Sequence, residues 1–167
     1  MPTDAEITFA YHAGRLYARR YGMAPMVGRL LGYLAICDPR EQTIAELAEA
    51  LLASRSAITG AITTLEHLDL IRRSRAAGER MDRIWIDMST ARSMGFDVTE
   101  YQEQGDLARE GLALLADEPL GRRAVLMEWA AFADFLVDRL PLLEKDWKAH
   151  RESLRAAGEL PDPPSHH

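Results

Sequence analysis

Residues 43–83 read TIAELAEALLASRSAITGAITTLEHLDLIRRSRAAGERMDR, and the fold turns on them. Thr43-Ile44-Ala45-Glu46 is a capping box: hydroxyl and carboxylate each satisfy an amide that the first helical turn leaves open. The short helix it opens turns Ile44, Leu47, Ala48 and Leu51 inward and ends near Leu52. Ser54 is a natural N-cap for the next helix. There Ala57, Ile58, Ala61, Ile62, Leu65 and Leu68 share one face, while Arg55, Ser56, Thr59, Gly60, Thr63 and Thr64 share the other. After Leu70 the period changes. Ile71–Arg75 reads as a strand, Ala76-Ala77-Gly78-Glu79 turns, and Ile84, Ile86 and Met88 alternate with Trp85 and Asp87 as in a half-buried strand. The stretch is therefore helix, tight turn, helix and hairpin.

Charge makes the hairpin conspicuous. The chain has 167 residues and formal net charge -6, yet Arg72, Arg73, Arg75, Arg80 and Arg83 crowd one short segment against Glu79 and Asp82. Arginine clusters meet phosphates or carboxylates, so a local basic face on an acidic body suits a phosphate backbone without indiscriminate binding. The bland alternative is a solvated hairpin without a partner. A helix that enters the major groove, about 12 Å wide, needs a small polar outer face. Ser54, Arg55, Ser56, Thr59, Gly60 and Thr63 supply one, and Gly60, which costs about 1 kcal/mol in mid-helix, fits close approach to DNA. Arg72, Arg75, Arg80 and Arg83 on the hairpin complete the expected DNA-binding set, reaching the backbone and minor groove.

Outside this stretch the pattern is helical. Thr3-Asp4-Ala5-Glu6 caps a first helix that carries Ile7, Ala10, Tyr11, Gly14, Tyr17, Ala18 and Tyr21 and ends at Gly22. Pro25 opens a second, faced by Val27, Leu30, Leu31, Leu34 and Cys37 and stopped by Asp38-Pro39. Helix returns from Ser89 to about Asp117. A long helix with Val125, Leu126, Trp129, Phe132, Ala133, Leu136, Val137 and Leu140 follows, Pro141 kinks or ends it, and a last helix carries Leu143, Trp147 and Leu154. The tail PDPPSHH reads as disordered, its two histidines as a tag remnant. The resulting division is an N-terminal dimerisation helix 1–22, a winged helix-turn-helix 23–90, a C-terminal dimerisation region 91–157 and a tail 158–167. A winged segment of about 50 residues is small for a core of its own, and the broad apolar stripes around it predict a two-fold partner.

The short motifs Gly22-Met23-Ala24-Pro25, Gly28–Leu34, Leu47–Leu51, Ser54–Thr59, Leu65–Ile71 and Gly78–Asp82 resemble the GbsR-like branch of the MarR family of regulators, over residues 20–90. Beyond residue 90 the similarity is of architecture. The resemblance implies a homodimeric winged helix-turn-helix regulator of near-palindromic double-stranded DNA, with interlocking terminal helices and a small-molecule effector bound between them and the DNA lobes. It also singles out Arg80 as the wing arginine, with either Glu79 or Asp82 as its acid.

The remaining features have plainer readings. Cys37, the single cysteine, excludes an internal disulfide; it is a packed residue at a helix C-terminus before it is a redox sensor. Trp129, Phe132, Phe135 and Trp147 are core before they are a cage for a quaternary ammonium effector. His12, His67 and His150 lack metal spacing. Glu100, Glu103, Asp106 and Glu110 make a solvated helix face. No GxSxG, P-loop, HExxH or GxGxxG motif occurs, so neither an enzyme nor a cofactor is expected. Without a signal peptide or a long apolar run, the protein is expected in the cytoplasm. The second function class is a winged-helix module whose arginines meet an acidic protein.

Overall fold

The computed structural model describes residues 1–75, 77–78 and 80–161. Elements run in the order α1 (Asp4–Tyr21), α2 (Pro25–Leu34), α3 (Ile44–Ala50), α4 (Arg55–His67), β1 (Ile71–Ser74), β2 (Arg83–Ile86), α5 (Thr99–Leu114) and α6 (Leu120–Ala156). The fold is thus mainly helical with one antiparallel hairpin, as the sequence predicts. The chain forms two compact units, Met1–Met94 and the residues from Gly95 onward.

In the first unit both capping boxes form. The Thr3 and Thr43 hydroxyls accept from the Glu6 and Glu46 amides, and each glutamate carboxylate accepts from the backbone amide of its threonine. The α1–α2 pair is drawn together by glycine. A Cβ on Gly28 would lie 2.7 Å from the Ala13 carbonyl oxygen, and one on Gly14 would lie 2.8 Å from that of Pro25. Leu30 and Leu34 of α2, Leu47 and Leu51 around α3, Ile58, Ile62 and Leu65 of α4, and Ile71 and Ile84 of the hairpin are fully buried together. Both α3 and α4 end through a left-handed residue, Leu52 (φ 49°) and Asp69 (φ 60°). After each, the next amide reaches back to the helix: Ala53 N to Ala48 O at 2.9 Å and Leu70 N to Leu65 O at 3.0 Å.

Several expectations need correction. Helix α2 stops at Leu34, so Cys37 lies in the turn beyond it rather than at a helix terminus. Trp85, expected on the open face of a half-buried strand, is buried along with Ile84. Ile84 also exchanges two backbone bonds with Gln42, of 3.0 and 2.9 Å, a one-residue bridge with no periodic signal. Helix does not return at Ser89. Thr90 and Ser93 hydrogen-bond each other's backbone, Gly95 takes φ 82°, and Asp97 accepts from the Thr99 amide, so α5 starts only at Thr99. Local side-chain bonds of this kind compete with helix.

The second unit is α5 packed on α6. Pro141 does not end α6, which runs unbroken from Leu120 to Ala156. One missing amide donor in so long a ladder is outweighed by the bonds on either side of it. Phe132 and Phe135, expected in the core, are each 54% exposed, because two helices alone leave the far side of α6 uncovered. Glu100, Glu103, Asp106 and Glu110 are exposed as expected. At the end of α6, Gly158 and Glu159 donate to the Arg155 and Leu154 carbonyls, so this part of the expected tail closes the helix. Residues 162–167, including His166 and His167, lie outside the described residues.

Candidate nucleic-acid interface

Two elements present the predicted residues. Helix α4 is held by the fully buried Ile58, Ile62 and Leu65 and opened by Ser54, whose Oγ accepts from the Ala57 amide at 3.2 Å. Its opposite face leaves Arg55, Ser56, Thr59, Gly60 and Thr63 exposed. Ser54 Oγ lies 3.0 Å from Ser56 Oγ. A Cβ on Gly60 would meet nothing within 4 Å, so that place on the ridge is open.

The hairpin stands beside it with register Ile71↔Ile86 and Ser74↔Arg83. Between hairpin and α4 lies a groove of about 390 Å³, lined by Ile44, Ala45, Arg55, Thr59, Arg73, Arg75, Met81 and Asp82. Three guanidiniums thus share one concave surface with the outer face of α4.

Most of the wing's arginines meet a carboxylate. Asp82 accepts from Arg73 Nε at 2.6 Å on one oxygen and from Arg75 Nε at 2.7 Å on the other. Those bonds, Arg75 first and Arg73 second, hold the Asp82 carboxyl below its usual range. Arg72 sits at the hairpin base, 2.7 Å from Asp69 Oδ1 and 3.3 Å from Asp87 Oδ2. Asp69 also accepts from the Thr90 hydroxyl, and that bond, before the one from Arg72, lowers its pKa. Arg83 Nη1 lies 3.6 Å from Glu46. Glu46 itself is held low first by the Thr43 amide. Arg80 is exposed, and of its two expected acids Asp82 is taken up by Arg73 and Arg75, while Glu79 lies outside the described residues.

The structure therefore brings Arg55, Thr59 and Arg75 together, and gives Arg72 the work of tying the hairpin base to the segment after it. Arg73 was missed. The signal was available: residues two apart on a strand share a face, so Arg73 and Arg75 point together and Arg72 does not join them. Asp82, treated only as a candidate partner of Arg80, instead orients that pair.

Two other features lie outside this groove. Cys37 Sγ rests 3.6 Å from the Arg40 carbonyl and 3.8 Å from that of Leu34, and burial raises its pKa, so the thiolate is disfavoured. An apolar pocket of about 460 Å³ lies between α1, α2 and the end of the hairpin, lined by Phe9, Leu16, Tyr17, Leu31, Ile86 and Met88 with His12 as its one imidazole. Among the described residues no group of three or more His, Cys, Asp or Glu is placed to hold a metal, and no helix is long and apolar enough to cross a membrane.

Comparison with known proteins identifies the family. Residues 21–80 match the sequence model of the MarR family, and residues 89–150 match that of the MmpR5-like MarR family transcriptional regulators. Over 113 residues the chain is 34% identical to the HTH-type transcriptional regulator MmpR5 of Mycobacterium tuberculosis (strain ATCC 25618 / H37Rv), covering 67% of this chain and 68% of that one. A solved structure titled as the crystal structure of a transcriptional regulator superposes with a TM-score of 0.79 at 27% identity, covering 87% of this chain and 99% of the other. These relatives are transcriptional regulators and not enzymes. The chain belongs to the MarR family of transcriptional regulators.

Proposed function

We propose that the protein is a homodimer that binds a near-palindromic operator, with α4 in the major groove, the wing on the backbone and minor groove, and a small molecule controlling occupancy. The observation that carries this is the convergence of Arg55, Arg73 and Arg75 with Thr59 on one open groove beside a capped, exposed helix. A two-fold dimer sets two such helices about 34 Å apart, one turn of DNA. The domain division read from the sequence, with α1 and residues 91–157 as dimerisation elements, belongs to this proposal. So do the GbsR-like branch, which rests on the motifs between residues 20 and 90, and a cytoplasmic location. For the effector, the apolar pocket around Phe9, Leu16 and Met88 favours an apolar ligand over a quaternary ammonium ion.

The test is fluorescence anisotropy with labelled duplex from the gene's upstream region, a scrambled duplex beside it, at two salt concentrations. Selective binding that weakens steeply with salt is expected, because each neutralised phosphate releases counterions. Arg75→Ala should weaken binding to both duplexes by a similar factor, as a backbone contact does, and lower the salt slope by about one. Equal affinity of wild type and Arg75→Ala would remove the wing from the interface. Capture of the protein by an acidic partner that nuclease does not disturb would favour the protein-binding alternative.

A further inference from the structure

The outer face of α4 carries its threonines in an unexpected state. Thr59 Oγ1 donates to the Arg55 carbonyl at 2.8 Å, Thr63 Oγ1 to the Thr59 carbonyl at 3.1 Å, and Thr64 Oγ1 to the Gly60 carbonyl at 3.3 Å. A hydroxyl has one hydrogen to give, and here it is given to the helix. With each hydrogen turned back onto the backbone, an exposed threonine has no donor left to offer a base, and its γ-methyl becomes the group best placed for contact. Arg55, Thr59 and Thr63 lie four residues apart, so they form one ridge. Beside it, Gly60 has no side chain and its surroundings are empty, which lets the ridge approach a surface closely. The apolar group on the floor of the major groove is the 5-methyl of thymine, while a guanidinium pairs best with guanine.

We infer that α4 reads thymine through the γ-methyls of Thr59 and Thr63, not through their hydroxyls, with Arg55 supplying the charged donor to a neighbouring guanine. The inference rests on the reading of α4 as the major-groove helix and specifies what that helix recognises.

The test starts with the full-length protein and a randomised duplex pool. The enriched site is then made with deoxyuridine at one thymine at a time, which removes the methyl and keeps every hydrogen-bonding group. Affinity is compared for wild type, Thr59→Val and Thr59→Ser, with the Thr63 pair as a second set. At the contacted thymine, uracil should weaken wild type and the valine variant by about fourfold, the worth of one buried methyl. Thr59→Ser should bind more weakly and be indifferent to that change. Wild type indifferent to uracil at every position overturns the inference, and this needs no variant to fold. So does a serine variant that keeps the discrimination while valine loses it, since the hydroxyl would then be the reader. A pool that yields no motif means instead that α4 does not read bases, and the major-groove assignment fails with it.

Discussion

The two units solve the burial problem differently. In Met1–Met94, four helices and a hairpin close around large buried leucines and isoleucines, though Leu52, Tyr21 and Leu16 remain exposed. In α5–α6 the buried residues of the helices are Gly105, Ala108, Ala130 and Ala133, all small. Several large apolar side chains there are outside: Leu114 is 83% exposed, Val125 75% and Leu120 68%, while Leu126, Trp129 and Trp147 are half-buried. Apolar area on that scale is what the proposed dimer would cover. One unit thus closes around large side chains, while the helices of the other fully bury only small ones.

Substitutions probe that contrast, the largest effects falling in the first unit. Leu47→Ala empties a fully buried site and should cost about 2–5 kcal/mol in urea unfolding. Gly28→Ala should cost about 1–3 kcal/mol, because its Cβ meets backbone that cannot yield without separating α1 from α2. Thr43→Ala removes one capping box and should cost about 1 kcal/mol. It should also flatten the acid limb of stability. The Glu46 carboxyl is lower in the folded state than in the unfolded chain, so its contribution is complete above the ordinary carboxylate range and fades as pH falls through the lowered value. Unfolding midpoints of wild type and variant measured from neutral pH downward should converge in acid. Smallest on folding is Val125→Asp, about 0.5 kcal/mol or less for so exposed a site. Sedimentation should nonetheless show it dissociating the dimer. An unchanged sedimentation coefficient would mean that this face is not the interface, and the contrast between the units would need another cause.

Legibility in the sequence followed how local the cause is. Caps at Thr3, Thr43 and Ser54, the left-handed stop at Gly22 and the change of period after Leu70 all have causes within a few residues, and each appears where it was read. The candidate site was half legible. Arg55 and Thr59 followed from helical periodicity, but the choice among wing arginines did not, because acids reach them from outside the cluster: Asp69, Asp87 and Glu46 bind Arg72 and Arg83. Counting charge along the segment overstated how much positive charge stands free there.

By itself, then, the sequence determined where the capped helices α1, α3 and α4 begin, which face of α4 is polar and that a basic hairpin follows it, since those depend on neighbours along the chain. Tertiary structure alone decided that Arg55 of α4 and the wing's Arg73 and Arg75 share one groove, that Trp85 is buried and that Gln42 bridges Ile84. The physical reason is that such pairings are settled by which groups packing brings into hydrogen-bonding or ion-pairing distance, and chain neighbours alone do not fix that.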